Sequence, residues 1–330
     1  MEKFFNNIWY SRFSIFIVVL LPVTFIYWLI ISLRLFLYNI KFFKITKFNI
    51  PIIIIGNLTV GGSGKTPLCI WLANYLLSKK VRVGIVSSGY KSSSTEPQLI
   101  GNNSDPSIVG DEAVLLYLQT KAIIVSGGDR VAATRYLLES SECDIIIHDD
   151  GLQHYALARS YEIGIIDADR FFGNGFLLPY GPLREPSNRI NKCDMIAYSN
   201  ASKHDIKKPS IFSKCNFVQN SITKEIKSLD EFSGKEIHLV IGIANISRIL
   251  NNLKIKNIKT TLHHYNDHYA YTGNECEFHD EKSVFLTMKD YVKLKSSSNE
   301  KIWVMQHYVE PNEHFIEKLN KDLSNIKYES

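Results

Sequence analysis

The run IPIIIIGNLTVGGSGKTPLCI, residues 50–70, decides the fold. Four consecutive isoleucines lead into a glycine-rich loop, Lys65-Thr66 follows, and a segment with apolar residues at helical spacing comes next. The order is buried strand, phosphate loop, helix. A loop with few side chains lets successive backbone N–H groups turn inward on an anion. A helix opening at Thr66 adds unpaired N–H donors and the positive end of its dipole. Thr59, Val60, Gly61, Gly62, Ser63 and Gly64 would then form a nucleotide cradle, with Lys65 on the β- and γ-phosphates and the Thr66 hydroxyl on Mg²⁺. The generic pattern G-x-x-x-x-G-K-[ST] is broken by Thr59 at its first glycine, but Gly61, Gly62 and Gly64 keep the loop free to take positive φ.

The chain has 330 residues, enough for about two domains, and its 45% hydrophobic and 22% charged content exclude wholesale disorder. A net charge of +5 suggests nucleic acid until it is located. Residues 1–47 carry six basic residues (Lys3, Arg12, Arg34, Lys41, Lys44, Lys47) against Glu2, which accounts for the whole excess. The rest is balanced, so charge gives no support to a nucleic-acid partner. Five scattered cysteines, none in a C-x-x-C pair, point to reduced core thiols rather than disulfides or zinc.

Between Arg12 and Arg34 lie 21 uncharged residues, about 30 Å as a helix. Tyr27 and Trp28 suit an interface, and the four basic residues from Arg34 to Lys47 exceed the two before the segment. A single membrane anchor with the following chain in the cytoplasm is expected. A cleaved signal is disfavoured because no small-residue cleavage site follows, and a helix lying in the interface because the segment is apolar all round.

Beyond the phosphate loop, strand-like runs at 81–87, 123–126, 144–148, 162–167 and 194–198 alternate with helix candidates at 67–79, 111–119 and 130–140. That βαβ rhythm predicts a doubly wound, mostly parallel α/β sheet. Residues 201–236 are Lys/Ser-rich and weakly periodic. Strands then resume at 237–243, 283–287 and 302–305, with helices at 245–253 and 312–323, while 295–301 (KSSSNEK) is a solvated loop. The expected organisation is an anchor with a basic flank (1–47), a phosphate-loop domain (48–200), a junction (201–236) and a smaller C-terminal α/β unit (237–330).

DIIIHDD, residues 144–150, is a buried strand ending in two carboxylates. At the carboxyl edge of a parallel sheet Asp149 and Asp150 would stand beside the phosphate loop and hold Mg²⁺, directly or through water. His154 could reach a phosphate, orient a carboxylate or simply pack. Asp111 and Glu112, and likewise Asp129-Arg130, open helices, where capping and the dipole account for acidic residues, although Arg130 is also a natural phosphate clamp. PYGPLREP, residues 179–186, is a rigid loop presenting Arg184 and Glu185. His263, His264 and His268 match no zinc spacing, so general acid–base work is the functional reading. NKCD at 191–194 matches the guanine-reading signature but precedes a strand instead of following one, which makes it a coincidence.

Taken together, GNLTVGGSGKTP (56–67), VGDEA (109–113), GGDR (127–130), HDDGLQH (148–154), PYGPLREP (179–186), GIAN (242–245) and NDHYAYT (266–272) resemble the tetraacyldisaccharide 4′-kinase family of lipid A synthesis. They run in the family's order, and Thr59 is itself one of its features. The resemblance implies a P-loop kinase on the cytoplasmic face of a bacterial inner membrane. It would transfer the γ-phosphate of ATP to the 4′-hydroxyl of a tetraacylated glucosamine disaccharide 1-phosphate, giving lipid IVA. It also implies that Asp111 is the catalytic base, supported by His268. Lys65, Arg130, Arg184 and Mg²⁺, held by Thr66 with Asp149 or Asp150, would neutralise the transferring phosphoryl group. Glu112, His154 and Glu185 would be supporting groups, and the two domains would have to close on ATP. The chain departs from the family where Ser88 replaces an arginine and Ile246 a proline. The rival from another class is a membrane-tethered P-loop ATPase or GTPase switch acting on a protein partner.

Overall fold

The computed structural model describes residues 8–10, 17–89, 92–94, 96–200, 207–243, 246–266, 269, 271–294 and 299–326. Lys3, Arg12, Asn245, Asp267, His268 and residues 295–298 therefore lie outside the described residues. In chain order the elements are α1 (Ile17–Asn39), β1 (Ile52–Gly56), α2 (Lys65–Ser78), β2 (Val83–Ser87), β3 (Gln98–Leu99), α3 (Pro106–Val109), α4 (Asp111–Gln119), β4 (Ile123–Ser126), α5 (Arg130–Ser140), β5 (Ile145–Asp149), β6 (Tyr161–Asp167) and β7 (Met195–Ser199). After them come β8 (Ser210–Asn220), β9 (Ile226–Ser228), β10 (Glu236–Ile241), α6 (Ser247–Ile255), β11 (Lys259–His264), β12 (Ser283–Thr287), α7 (Met288–Tyr291), β13 (Ile302–Pro311) and α8 (Glu313–Ser324).

All these strands belong to a single sheet, in the order β11-β10-β12-β13-β8-β7-β6-β1-β5-β2-β4-β3, with β9 on β8. β1 lies between β5 and β6, parallel to both, and both of its faces are covered. Ile53 and Ile55 pack with Leu68 and Leu72 of α2, whereas Ile52 and Ile54 pack with Leu137 of α5 and Leu157. This two-sided burial is why the strand is a run of isoleucines and not an alternating pattern.

The stretch expected to be a junction contains β8, the strand that joins the two halves. Its first residues pair parallel with the end of β7 (Tyr198 opposite Ser210), and the whole strand pairs antiparallel with β13. Exposure along β8 does not alternate strictly, because its two ends pack into different half-sheets, so the periodicity that marks a strand is missing. β13 likewise runs on to Pro311, beyond the expected end at Met305. β11 and the short α7 escaped the sequence reading as well; β11 is half-exposed along most of its length.

The β8–β13 pair also reverses strand direction. β4, β2, β5, β1, β6 and β7 run one way, and β11, β10, β12 and β13 run the other. Because β8 continues past the end of β7 before meeting the start of β13, the carboxyl ends of the two half-sheets face one another. Lys289 of α7 spans the gap to Glu112 of α4 at 3.3 Å.

Helix α8 does not stay with its own half. Phe315, Leu319 and Leu323 are buried in the core that contains Leu68, Leu72 and Ile163, and Phe315 meets Trp71 edge-on at 5.7 Å. Phe315→Ala should therefore cost about 3–5 kcal/mol, read by chemical denaturation of the full chain. A loss below about 1 kcal/mol, typical of a surface change, would contradict this packing.

Candidate active site

The phosphate loop starts where β1 ends. Asn57 follows the strand fully buried; its side-chain amide donates to Thr59 Oγ1 at 3.2 Å, and its Oδ1 accepts from Lys65 Nζ at 2.9 Å. Thr59 fits the first-glycine position because its backbone is not at positive φ; it forms a bridge with Leu183. The neighbouring Val60 N–H donates to Pro182 O and Arg184 N–H to Leu58 O, so the 179–186 loop is laced along this side of the phosphate loop. Gly64 does need glycine: it caps α2 at φ 90, turning the chain so that Lys65 begins the helix.

Asp149 ends β5, level with Ile55 of β1, and Asp150 follows directly after the strand. Asp150 takes φ 54, which turns its carboxylate back toward the loop. Arg184 Nη1 donates to both Asp150 oxygens at 3.1 and 3.0 Å, and Lys65 Nζ stands 3.7 Å away. Burial pulls Asp150 upward, but Lys65, Arg184 and Arg130 outweigh it and hold the carboxyl below its ordinary value. Asp149 behaves oppositely. Burial, and then the nearby charges of Glu112 and Asp150, push it up to about 7. The Thr66 hydroxyl donates to its Oδ2 at 2.8 Å, while its Oδ1 is buried with no hydrogen-bond partner among the described residues.

Arg130 is buried at the start of α5 and donates to the Asp149 backbone carbonyl at 2.7 Å. Burial lowers it to about 10, which leaves it protonated at neutral pH, and its Nε has no partner among the described residues. Asp129 is a plain helix cap, accepting from the N–H groups of Val131 and Ala132. Helix α4 is different: Gly110 occupies its cap position at φ 90, with no side-chain cap bond. Asp111 is buried in its first turn, and Glu112 pairs with Lys289.

His154 is kept neutral, driven down to about 4 mainly by burial and then by Arg130. Glu185 is almost fully buried; it accepts from Tyr155 Oη at 2.7 Å and lies 3.8 Å from Arg189 Nε, so it braces the loop that carries Arg184. His263 is not at the site. It lies 3.0 Å from His238 Nδ1, and both rings pack on Phe278. NKCD has a structural part instead: the Asp194 carboxylate accepts from the Glu162 N–H just before β7. Ser88 stands directly after β2, and Ile246 immediately precedes α6.

The structure therefore brings Lys65, Thr66, Arg130, Asp149, Asp150 and Arg184 together, with Glu112 close enough to act on Asp149 electrostatically. Sequence reasoning passed over Asn57, Gln153 and Lys289. Asn57 and Gln153 lie inside quoted motifs, and Gln153 Nε2 donates to the Asn57 carbonyl at 3.2 Å. Lys289 had no local signal, since only folding brings it to Glu112.

Comparison with known proteins follows the same lines. The family model for tetraacyldisaccharide-1-P 4′-kinase matches residues 16–324. The tetraacyldisaccharide 4′-kinase of Coxiella burnetii (strain RSA 331 / Henzerling II) is 40% identical over 296 residues, 89% of this chain and 87% of the relative. That of Ruthia magnifica is 38% identical over 305 residues, 92% and 96% of the two chains. A crystal structure described as the "apo" form of LpxK from Aquifex aeolicus in complex with ATP superposes with a TM-score of 0.78 and 30% identity, covering 93% of this chain and 98% of that one.

The raised Asp149 gives a signed prediction. Between the ordinary aspartate value and about 7, the folded protein holds a proton that the unfolded chain has released. Metal-free stability should thus fall as pH rises through that window. The Tm of chelator-treated protein is expected to decline from about pH 4 to about pH 7, and Asp149→Asn to remove that part of the slope. Equal slopes in both proteins would contradict the assignment.

Proposed function

The chain belongs to the tetraacyldisaccharide-1-phosphate 4′-kinase family, and from that premise we propose how its residues phosphorylate the 4′-hydroxyl of a tetraacyldisaccharide 1-phosphate with ATP to form lipid IVA. The observation that carries the reading is the meeting of Lys65, Arg184 and Arg130 with two adjacent carboxylates at the mouth of a phosphate loop. Lys65 and Arg184 would neutralise charge on the transferring phosphoryl group, and buried Arg130 would add a fixed positive charge behind it.

Mg²⁺ fits the donor set. Asp149 offers a buried oxygen with no hydrogen-bond partner among the described residues, beside the Thr66 hydroxyl, whereas Asp150 is already engaged by Arg184 and Lys65. We therefore favour Thr66 and Asp149 as its protein ligands. When bound, the cation supplies charge neutralisation at the phosphate oxygens.

Asp111, buried in the first turn of α4, is proposed as the base that accepts the proton of the sugar hydroxyl. Its proposed support, His268, lies outside the described residues. The loop after β11 leaves the carboxyl edge of the far half-sheet, and α7 of that half already reaches Glu112. That arrangement supports a site completed by both halves.

The lipid would be met at the membrane. Among the described residues one helix, Val19–Asn39, is long and apolar enough to cross a bilayer by length and composition. Its outward residues Val23, Ile26, Ile30, Leu33 and Phe36 are exposed, together with Phe42, Phe171 and Phe176. Exposed apolar side chains in this number are costly in water and suit a bilayer. A four-chain lipid barely leaves that bilayer, since each buried CH₂ is worth about 0.8 kcal/mol. We place the chain at the bacterial inner membrane, with the catalytic body on the cytoplasmic side and the exposed Lys41, Lys44 and Lys47 facing an anionic leaflet, while Arg34 turns inward to the Gln153 carbonyl.

The test is phosphoryl transfer from γ-labelled ATP, with Mg²⁺, to detergent-dispersed disaccharide 1-phosphate. Label should appear on the lipid, and Lys65→Ala should lower kcat on the order of 10²–10³-fold. Asp111→Ala is expected to lower kcat by about 10²–10⁴-fold while ATP binding, measured by calorimetry, persists. Near-normal turnover in Asp111→Ala would remove the base assignment.

A further inference from the structure

Helix α1 carries a polar stripe that an anchor alone does not require. Thr24, Tyr27, Arg34 and Tyr38 recur at helical spacing along one face, and each meets a loop of the catalytic body. The Tyr180 N–H donates to Thr24 Oγ1 at 3.2 Å. The Tyr27 hydroxyl donates to the backbone carbonyl of Arg184 at 2.9 Å. Arg34 Nη2 donates to the backbone carbonyl of Gln153 at 3.0 Å. One turn further on, the Tyr38 ring lies 5.7 Å from the ring of Tyr155.

These contacts fall on two loops only, the turn after β5 and the 179–186 loop. The same two loops meet in the Arg184–Asp150 ion pair, and Gln153 Oε1 lies 3.4 Å from Arg184 Nη1. Gln153 also donates to the carbonyl of Asn57, which holds Lys65. A short hydrogen-bonded path thus runs from Arg34 through Gln153 and Asn57 to Lys65, and another from Tyr27 through Arg184 to Asp150. Hydroxyl and guanidinium groups on a helix that otherwise turns apolar residues outward persist only where they find partners, and here the partners are backbone atoms of residues in the site.

We infer that Tyr27 and Arg34 are positioning residues: by gripping the backbones of Arg184 and Gln153 they set the Arg184 guanidinium and the Asp150 carboxylate against Lys65. The anchor helix is then a structural part of the catalytic centre as well as its tether. Turnover depends on its inner face even when detergent delivers the lipid. This rests on the proposed role of Arg184 at the transferring phosphate.

The experiment uses the full chain with ATP and detergent-dispersed disaccharide 1-phosphate, each varied in turn while the other is saturating. Tyr27→Phe, Arg34→Gln and their double variant are compared for kcat, for KM of each substrate, for partition into vesicles of bacterial phospholipid, and for Tm. The double variant is expected to lose about 10- to 100-fold in kcat, the scale of a small misplacement, with partition and KM for ATP unchanged. Arg34→Lys, which keeps a donor, should recover part of the loss. Ile26→Ser on the outer face should show the reverse pattern, with weaker partition and retained kcat on dispersed lipid. Wild-type kcat in the double variant would overturn the inference, as would a kcat loss that only follows lost partition. Should the double variant fail to fold, Tyr27→Phe alone decides, since it removes one oxygen and keeps the ring. Arg184→Ala separates the two readings. If it turns over normally, the role of Arg184 fails; if it is inactive while the double variant is normal, only the positioning role fails.

Discussion

Two neighbouring carboxylates at the end of a fully buried strand require cations, and the site is arranged around that requirement. The isoleucines of β5 draw Asp149 and Asp150 into a setting where an uncompensated charge is strongly unfavourable. Compensation comes from three separate places: Lys65 at the start of α2, Arg130 at the start of α5, and Arg184 on the 179–186 loop. The parallel pairing of β1 with β5, Ile55 opposite Asp149, puts the beginning of the phosphate loop level with the carboxylates. Asp150 takes most of the available positive charge. Asp149 is left raised, with one oxygen unpartnered among the described residues, which is the asymmetry a divalent cation would resolve.

The reversal of strand direction at β8–β13 is the second constraint. In a parallel sheet the carboxyl edge is where ligands collect, and two half-sheets of opposite sense joined by one antiparallel pair present those edges to each other. The Glu112–Lys289 contact crosses that gap, while α8 returns to cover the core under the phosphate loop. The far half is therefore bound to the near one at the sheet, at the cleft and through α8.

In the proposed reading the third constraint is the substrate. A lipid confined to a bilayer must be met at its surface, and α1 with Phe171 and Phe176 sets an apolar surface beside the loops that carry Arg184 and Gln153. Anchor and reaction centre are adjacent because the same loops touch both.

The local chemistry was written into the chain. The strand, loop and helix at 50–70, the helices opening at Asp111 and Arg130, and the strand ending at Asp149 all rest on short-range rules of burial, glycine freedom and helix starts, so they were legible residue by residue. Contacts between distant segments were not. β8 gave no strand periodicity because its ends belong to different half-sheets, and β13 extended past its expected end because its partner was unrecognised. Asp129 and Asp111 look alike in sequence, each beside a helix start, yet one caps its helix while the other is buried with glycine in the cap position. The pairing of Asp150 with Arg184, the raised carboxyl of Asp149, and the grip of Tyr27 and Arg34 on the catalytic loops depend on which groups burial brings together. Sequence alone determined the residue types and the local turns that make this chemistry possible. Tertiary structure decided which charges share a low-dielectric space, because electrostatic coupling depends on distance and burial, and neither is encoded by position along the chain.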